Sequence, residues 1–91
     1  MTFRTSFIMF DRRYEFLLNT DNLDRNYSDG AYAYWIVERD GHFFEIIIWK
    51  DAEVDGDFTT DGVVFGYKDK GDFEDGQDNS ALKTEILLIA A

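Results

Sequence analysis

Apolar and polar residues alternate with a period of two over much of this chain. From Tyr32 to Trp49 the alternation runs unbroken through Asp40-Gly41. Asp-Gly suits a two-residue type I′ turn, because both central residues need positive φ. Pairing outward from that turn sets Val37 opposite Phe44, Trp35 opposite Ile46 and Ala33 opposite Ile48. Side chains alternate faces along a strand, so these residues share one wholly apolar side, the predicted core. The other side carries Tyr32, Tyr34, Ile36, Glu38, Phe43, Glu45, Ile47 and Trp49. It is amphipathic and rich in aromatics, and either a second layer of the fold or a partner covers it.

Five of the seven glycines follow an aspartate, which punctuates the chain into hairpins. A second hairpin is predicted at Asp61-Gly62. It would pair Thr60 with Val63, Phe58 with Phe65 and Gly56 with Tyr67, and set Asp55 across from Lys68 and Glu53 across from Lys70. Towards the N-terminus, Ser6 to Phe10 and Tyr14 to Leu18 read as two strands around Asp11-Arg12-Arg13. One helix is the alternative, since Phe7, Phe10, Tyr14, Leu17 and Leu18 fall on a helical stripe. Thr20 to Tyr27 fits one helical turn with Asp21 near its cap. Lys83 to Ala90 reads as a closing central strand, with a short helix capped by Ser80 as the alternative. The expected fold is therefore mainly β, with α+β as its alternative. It is a small antiparallel sheet or barrel of five or six strands built from hairpins, with at most one or two short helices.

Length and composition narrow the function. Ninety-one residues form a single compact domain, 1–91. Nineteen acids against nine Lys and Arg give a net charge of −10. That argues against a nucleic-acid binder, which needs a basic footprint, and against docking on an anionic membrane. Cys 0 removes disulfides, thiolate metal sites and cysteine nucleophiles. The apolar run Phe7 to Phe10 is shorter than a secretory core, and Ile86 to Ala91 is shorter than a membrane span. The expected location is cytoplasmic.

The charge excess is local. Residues 51–78 hold ten acids against two lysines. Asp51, Glu53, Asp55 and Asp57 alternate with Ala52, Val54, Gly56 and Phe58, so as a strand they form a row spaced by about 6.6–6.8 Å. Neighbouring phosphates of a nucleic-acid strand are spaced comparably. Asp69, Asp72, Glu74, Asp75 and Asp78 follow in what reads as a glycine-containing loop. Either this is a negative rail shaped for a basic groove, or it is a solvated face neutralised in part by Lys68 and Lys70.

Other chemistry is thin. Asp51, Glu53, Asp55 and Gly56 resemble the start of an EF-hand loop. The twelfth position, which needs a bidentate Glu, is Gly62, and a strand precedes the loop where a helix is required. No metal site or cofactor is expected. His42, the single histidine, flanks a turn, and Ser6, Ser28 and Ser80 sit in no nucleophile elbow. Only Glu45, between Phe44 and Ile46, reads as a partly buried acid. No enzyme is expected.

In size and charge the chain is similar to small phage-encoded nucleic-acid mimics such as anti-CRISPR proteins, anti-restriction proteins and inhibitors of uracil-DNA glycosylase. The likeness is one of composition and carries no motif. The favoured function is a non-catalytic inhibitor that occludes a basic nucleic-acid-binding site on a partner protein. Asp51, Glu53, Asp55, Asp57, Asp72, Glu74, Asp75 and Asp78 would supply charge. Tyr32, Tyr34 and Trp49 would supply anchors if exposed. Two alternatives stand beside it: an immunity or antitoxin protein against a basic toxin, and a homo-oligomeric structural module, such as a homodimer, joined through the aromatic face.

Overall fold

The computed structural model describes residues 2–19, 25–26, 32–49 and 59–90. It contains β1 (Thr2–Met9), β2 (Arg12–Asn19), β3 (Arg25–Asn26), β4 (Tyr32–Arg39), β5 (His42–Trp49), β6 (Thr59–Tyr67), α1 (Lys70–Glu74) and β7 (Ser80–Ala90). The strands form one antiparallel sheet in the order β2-β1-β7-β6-β5-β4-β3. β3 is only two residues long, so six full strands roll into a nearly closed barrel. The mainly β expectation is met, and β7 is the central strand that joins the N-terminal hairpin to the rest.

Strand parity builds the core. Phe3, Thr5, Phe7 and Met9 of β1 turn inward, as do Tyr14, Phe16 and Leu18 of β2, while Arg4, Ser6, Ile8, Arg13, Glu15 and Leu17 point outward and are exposed. The β4–β5 ladder has the register read from the sequence, from Tyr32↔Trp49 to Arg39↔His42. Its inward residues Trp35, Phe44, Ile46 and Ile48 are buried. Rings fill the centre: Phe44 lies 5.4 Å from Phe7, 4.7 Å from Tyr14 and 5.6 Å from Phe16. Aromatic pairs at these separations add about 0.5–1.5 kcal/mol each beyond area burial.

Two turns close the hairpins. Asp40 and Gly41 have φ of 56° and 78°, the left-handed pair that type I′ requires. The β1–β2 turn is displaced from the predicted Asp11-Arg12-Arg13. Its central residues are Phe10 and Asp11, with φ of 53° and 60°. A bulky residue is disfavoured there. The Phe10 ring offsets that cost by stacking on His42 at 4.6 Å.

The predicted Asp61-Gly62 hairpin is overturned. β6 runs straight through this dipeptide, pairing Gly62 with Ile48 of β5 on one side and Thr84 of β7 on the other. Lys68 and Lys70 lie beyond the end of β6, and Asp55 and Glu53, their expected partners, lie outside the described residues. Glycine serves packing here. A Cβ at Gly62 would collide with the Ile86 side chain and stand 2.8 Å from the Ile47 carbonyl oxygen. A Cβ at Gly66 would occupy the place of the Met9 sulfur and lie 3.1 Å from the Phe10 ring.

The barrel closes on one flank and opens on another. Between β2 and β4, side chains replace a ladder: Trp35 Nε1 donates to the Asn19 carbonyl at 3.0 Å, and Arg39 donates to the Glu15 carbonyl at 3.0 Å. Arg39 also covers the Phe16 ring at 4.5 Å, and Arg12 meets Asp40 at 3.2 Å. Between β1 and β7 the ladder ends at Thr5↔Ile86, although both strands continue. Beyond that point, Thr5 Oγ1 donates to the Glu85 carbonyl at 3.3 Å and Thr84 Oγ1 to the Ser6 carbonyl at 3.2 Å. The strands then part around a cleft of about 490 Å³.

Gly62→Ala is expected to destabilise the domain by about 1–3 kcal/mol, the usual cost of overpacking. Urea unfolding should show a lower midpoint with an unchanged slope.

Candidate functional site

The acidic stretch after β6 is built on the end of the barrel. Where the sequence predicts a loop, the segment contains the short helix α1. Asp69 caps this helix, its Oδ1 accepting from the Asp72 amide at 2.8 Å. Gly76 leaves the helix with φ of 68°, a conformation open to glycine. The Gln77 amide donates to the Asp72 carbonyl at 2.9 Å, and the Asn79 amide to the Gly66 carbonyl at 2.8 Å. The Lys68 amide donates to Asn79 Oδ1 at 2.6 Å. Asn79 therefore holds both ends of the segment, its amide bonded to Gly66 and its side chain to Lys68.

Aromatic packing fastens the middle. Phe73 stacks on Phe43 at 5.0 Å and meets Tyr67 edge-on at 5.2 Å. Phe43 and Tyr67 are register partners on the outward side of β5 and β6. The helix thus covers part of the amphipathic face. The Tyr67 hydroxyl donates to the Glu45 carboxylate. Burial, that bond, and the charges of Glu45 and Asp78 push the Tyr67 hydroxyl well above its ordinary value of 10.0. Glu45 is half-buried, as its neighbours suggested.

The predicted site residues divide. Asp72, Glu74, Asp75 and Asp78 come together on this segment, Asp72 half-buried and the others exposed. Lys70 reaches Glu74 at 3.7 Å, but both side chains are largely exposed, so the pair neutralises little. Asp51, Glu53, Asp55 and Asp57, and with them the EF-hand resemblance, lie outside the described residues. So do Thr20 to Asp24 of the proposed helical turn; Arg25 and Asn26 are strand. Tyr34 is 5% exposed and offers no free ring to a partner. Tyr32 and Trp49 pair across the β4–β5 ladder, and their side chains lie outside the described residues.

Sequence reading missed Phe73, whose role needs Phe43 and Tyr67 brought beneath it. It also finds no partner for His42 beyond the turn that the residue flanks. His42 Nδ1 lies 2.8 Å from the Lys68 carbonyl while the ring stacks on Phe10, so the imidazole joins the N-terminal hairpin to the acidic segment. Among the described residues no group of three or more His, Asp or Glu could hold a metal ion, and no helix is long and apolar enough to cross a membrane. No protein-family model, curated protein or solved structure matches this chain.

Two measurements probe this anchoring. Phe73→Ala should raise amide exchange in residues 68–79 while leaving the barrel strands protected. A hydroxyl whose value is raised on folding contributes stability below its ordinary value and loses it as pH rises above it. Wild-type stability should therefore fall as pH climbs past 10.0, and Tyr67→Phe should flatten that fall in denaturant titrations at stepped pH.

Proposed function

We propose that this chain is a non-catalytic protein-binding domain that inhibits a nucleic-acid-binding partner by occupying its basic site. What supports this reading is the way Asp72, Glu74, Asp75 and Asp78 ride on a segment capped by Asp69, bonded to the barrel through Asn79 and clamped by Phe73. Carboxylates on a fixed frame lose little freedom on docking, so more of their attraction survives as affinity. The net charge of −10 extends that attraction outward and speeds encounter with a positive groove. Inhibition is steric: the partner's nucleic-acid site is filled and nothing is turned over. Asp51, Glu53, Asp55 and Asp57 belong to the same proposal, as a second row of charge.

The test uses the whole chain as immobilised bait in a lysate of its source organism, eluted with rising salt. A basic nucleic-acid-binding protein should be retained at low salt and released as salt rises. The purified partner should lose nucleic-acid binding when the free chain is added. Reversing Asp72, Asp75 and Asp78 to Lys should weaken the complex at least about tenfold, or about 1.4 kcal/mol. A second variant reversing Asp51, Glu53, Asp55 and Asp57 should weaken it further. Folded reversal variants that still inhibit at the wild-type concentration would overturn the reading.

A further inference from the structure

The other flank of the barrel carries a different surface. Among the described residues, the large apolar side chains that stay exposed are Ile8 at 71%, Leu17 at 67% and Ile89 at 45%. By strand parity all of them point outward from β2, β1 and β7, one face of the half-sheet. The register arranges this face in rows. Arg13 and Ile8 share one row, Glu15 and Ser6 the next, and Leu17, Arg4 and Leu87 the third. Carried across the cleft, the same register puts Lys83 in the first row and Glu85 in the second, with Asp61 beside Glu85 on β6.

Charge singles this face out. Arg4, Arg13 and Lys83 balance Glu15, Glu85 and Asp61, whereas the chain as a whole carries −10. Two copies repel each other over most of their surface and can approach here. The balance is also ordered: a basic row lies directly beside an acidic row. Consider a two-fold axis in the plane of the face, running across the strands between these rows. It sets Arg13 over Glu15 of the second copy and Lys83 over its Glu85, each pair occurring twice. The Arg13–Glu15 pair within one chain is long, at 4.0 Å, and its side chains are exposed, so both are available.

The same axis places Ile8 at the mouth of the second copy's cleft. That cleft, about 490 Å³, opens where β1 and β7 part; Ser6, Leu82 and Lys83 line it together with the same copy's Ile8, Arg13 and Glu85, so the incoming Ile8 meets an apolar wall with charge at its rim. We infer that the chain self-associates through this face into a two-fold dimer, with Ile8 of each copy seated in the β1–β7 cleft of the other. An apolar knob at the centre and charge pairs at the rim match the anatomy of protein interfaces. Three strands of eight residues offer a face no larger than about 14 Å by 26 Å, so the dimer is a weak, transient one. This inference does not rest on the acidic-segment reading, because α1 covers the outer side of β5 and β6.

Sedimentation equilibrium of the full chain from about 1 to about 500 μM tests it. The mass should rise from 10.6 kDa towards twice that value. Ile8→Asp should raise the dissociation constant about 30-fold or more, and Lys83→Glu about tenfold. Adding Glu85→Lys to Lys83→Glu keeps the net charge at −10 and should bring dissociation back to within about threefold of wild type. Circular dichroism melts establish that each variant is folded. A single 10.6 kDa species at every concentration overturns the inference. So does a dimer indifferent to Ile8→Asp, or a swapped pair that associates no better than Lys83→Glu alone.

Discussion

Rolling six strands into a small barrel requires inner faces to touch, and that contact is made at glycine. In β6 the inward positions are Gly62, Val64 and Gly66. Ile86 fills the space above the first glycine, and Met9 and Phe10 fill that above the last. Larger residues would hold β7 and the N-terminal hairpin away from β6. The ring cluster around Phe44 would then lose the contacts that fill it. The packing also has a cost. The Tyr14 hydroxyl is buried at 2% exposure and has no hydrogen-bond partner among the described residues. Such a group typically costs about 1–3 kcal/mol.

The position of the β1–β2 hairpin links the two flanks. Its tip reaches Gly66, His42 and Asp40, which brings β2 close enough to β4 for Arg39 and Trp35 to bridge them. The same lean draws β1 off β7 beyond Thr5, and two threonine hydroxyls take over from main-chain bonds where the strands separate. Closure on one side and the cleft on the other are one adjustment. An open edge invites strand pairing from outside. Two carbonyls of β2 that would face a neighbouring strand are instead engaged by Arg39 and Trp35.

Much of this was legible from residue order, because strand parity is a local property. The β4–β5 register follows from a two-residue turn with intact alternation on both sides, and β7 from its apolar run. The same Asp-Gly signal misled at Asp61-Gly62. There the glycine answers to Ile86, a residue distant in sequence, and not to a turn. The β1–β2 turn escaped detection because its left-handed residues are Phe10 and Asp11, whose stacking partner His42 appears only once the barrel forms. The acidic character of residues 69–78 was plain, but their anchoring was not. α1 is too short to show a helical period, and Phe73 gains its meaning from Phe43 and Tyr67.

The central place of β7 bears on how the molecule assembles. Synthesis runs from β1 to β7, yet the backbone ladders of β1 and β2 join the rest of the sheet only through β7, which is made after every strand it links. Thr5 pairs with Ile86 across nearly the whole chain. Closing so long a loop precedes most of the stabilising contacts, and topologies dominated by distant pairings form slowly. Until β7 emerges, the nascent chain holds two unjoined hairpin systems whose edges are open to other molecules. Chaperone capture during translation would protect that interval, and aggregation would exploit it.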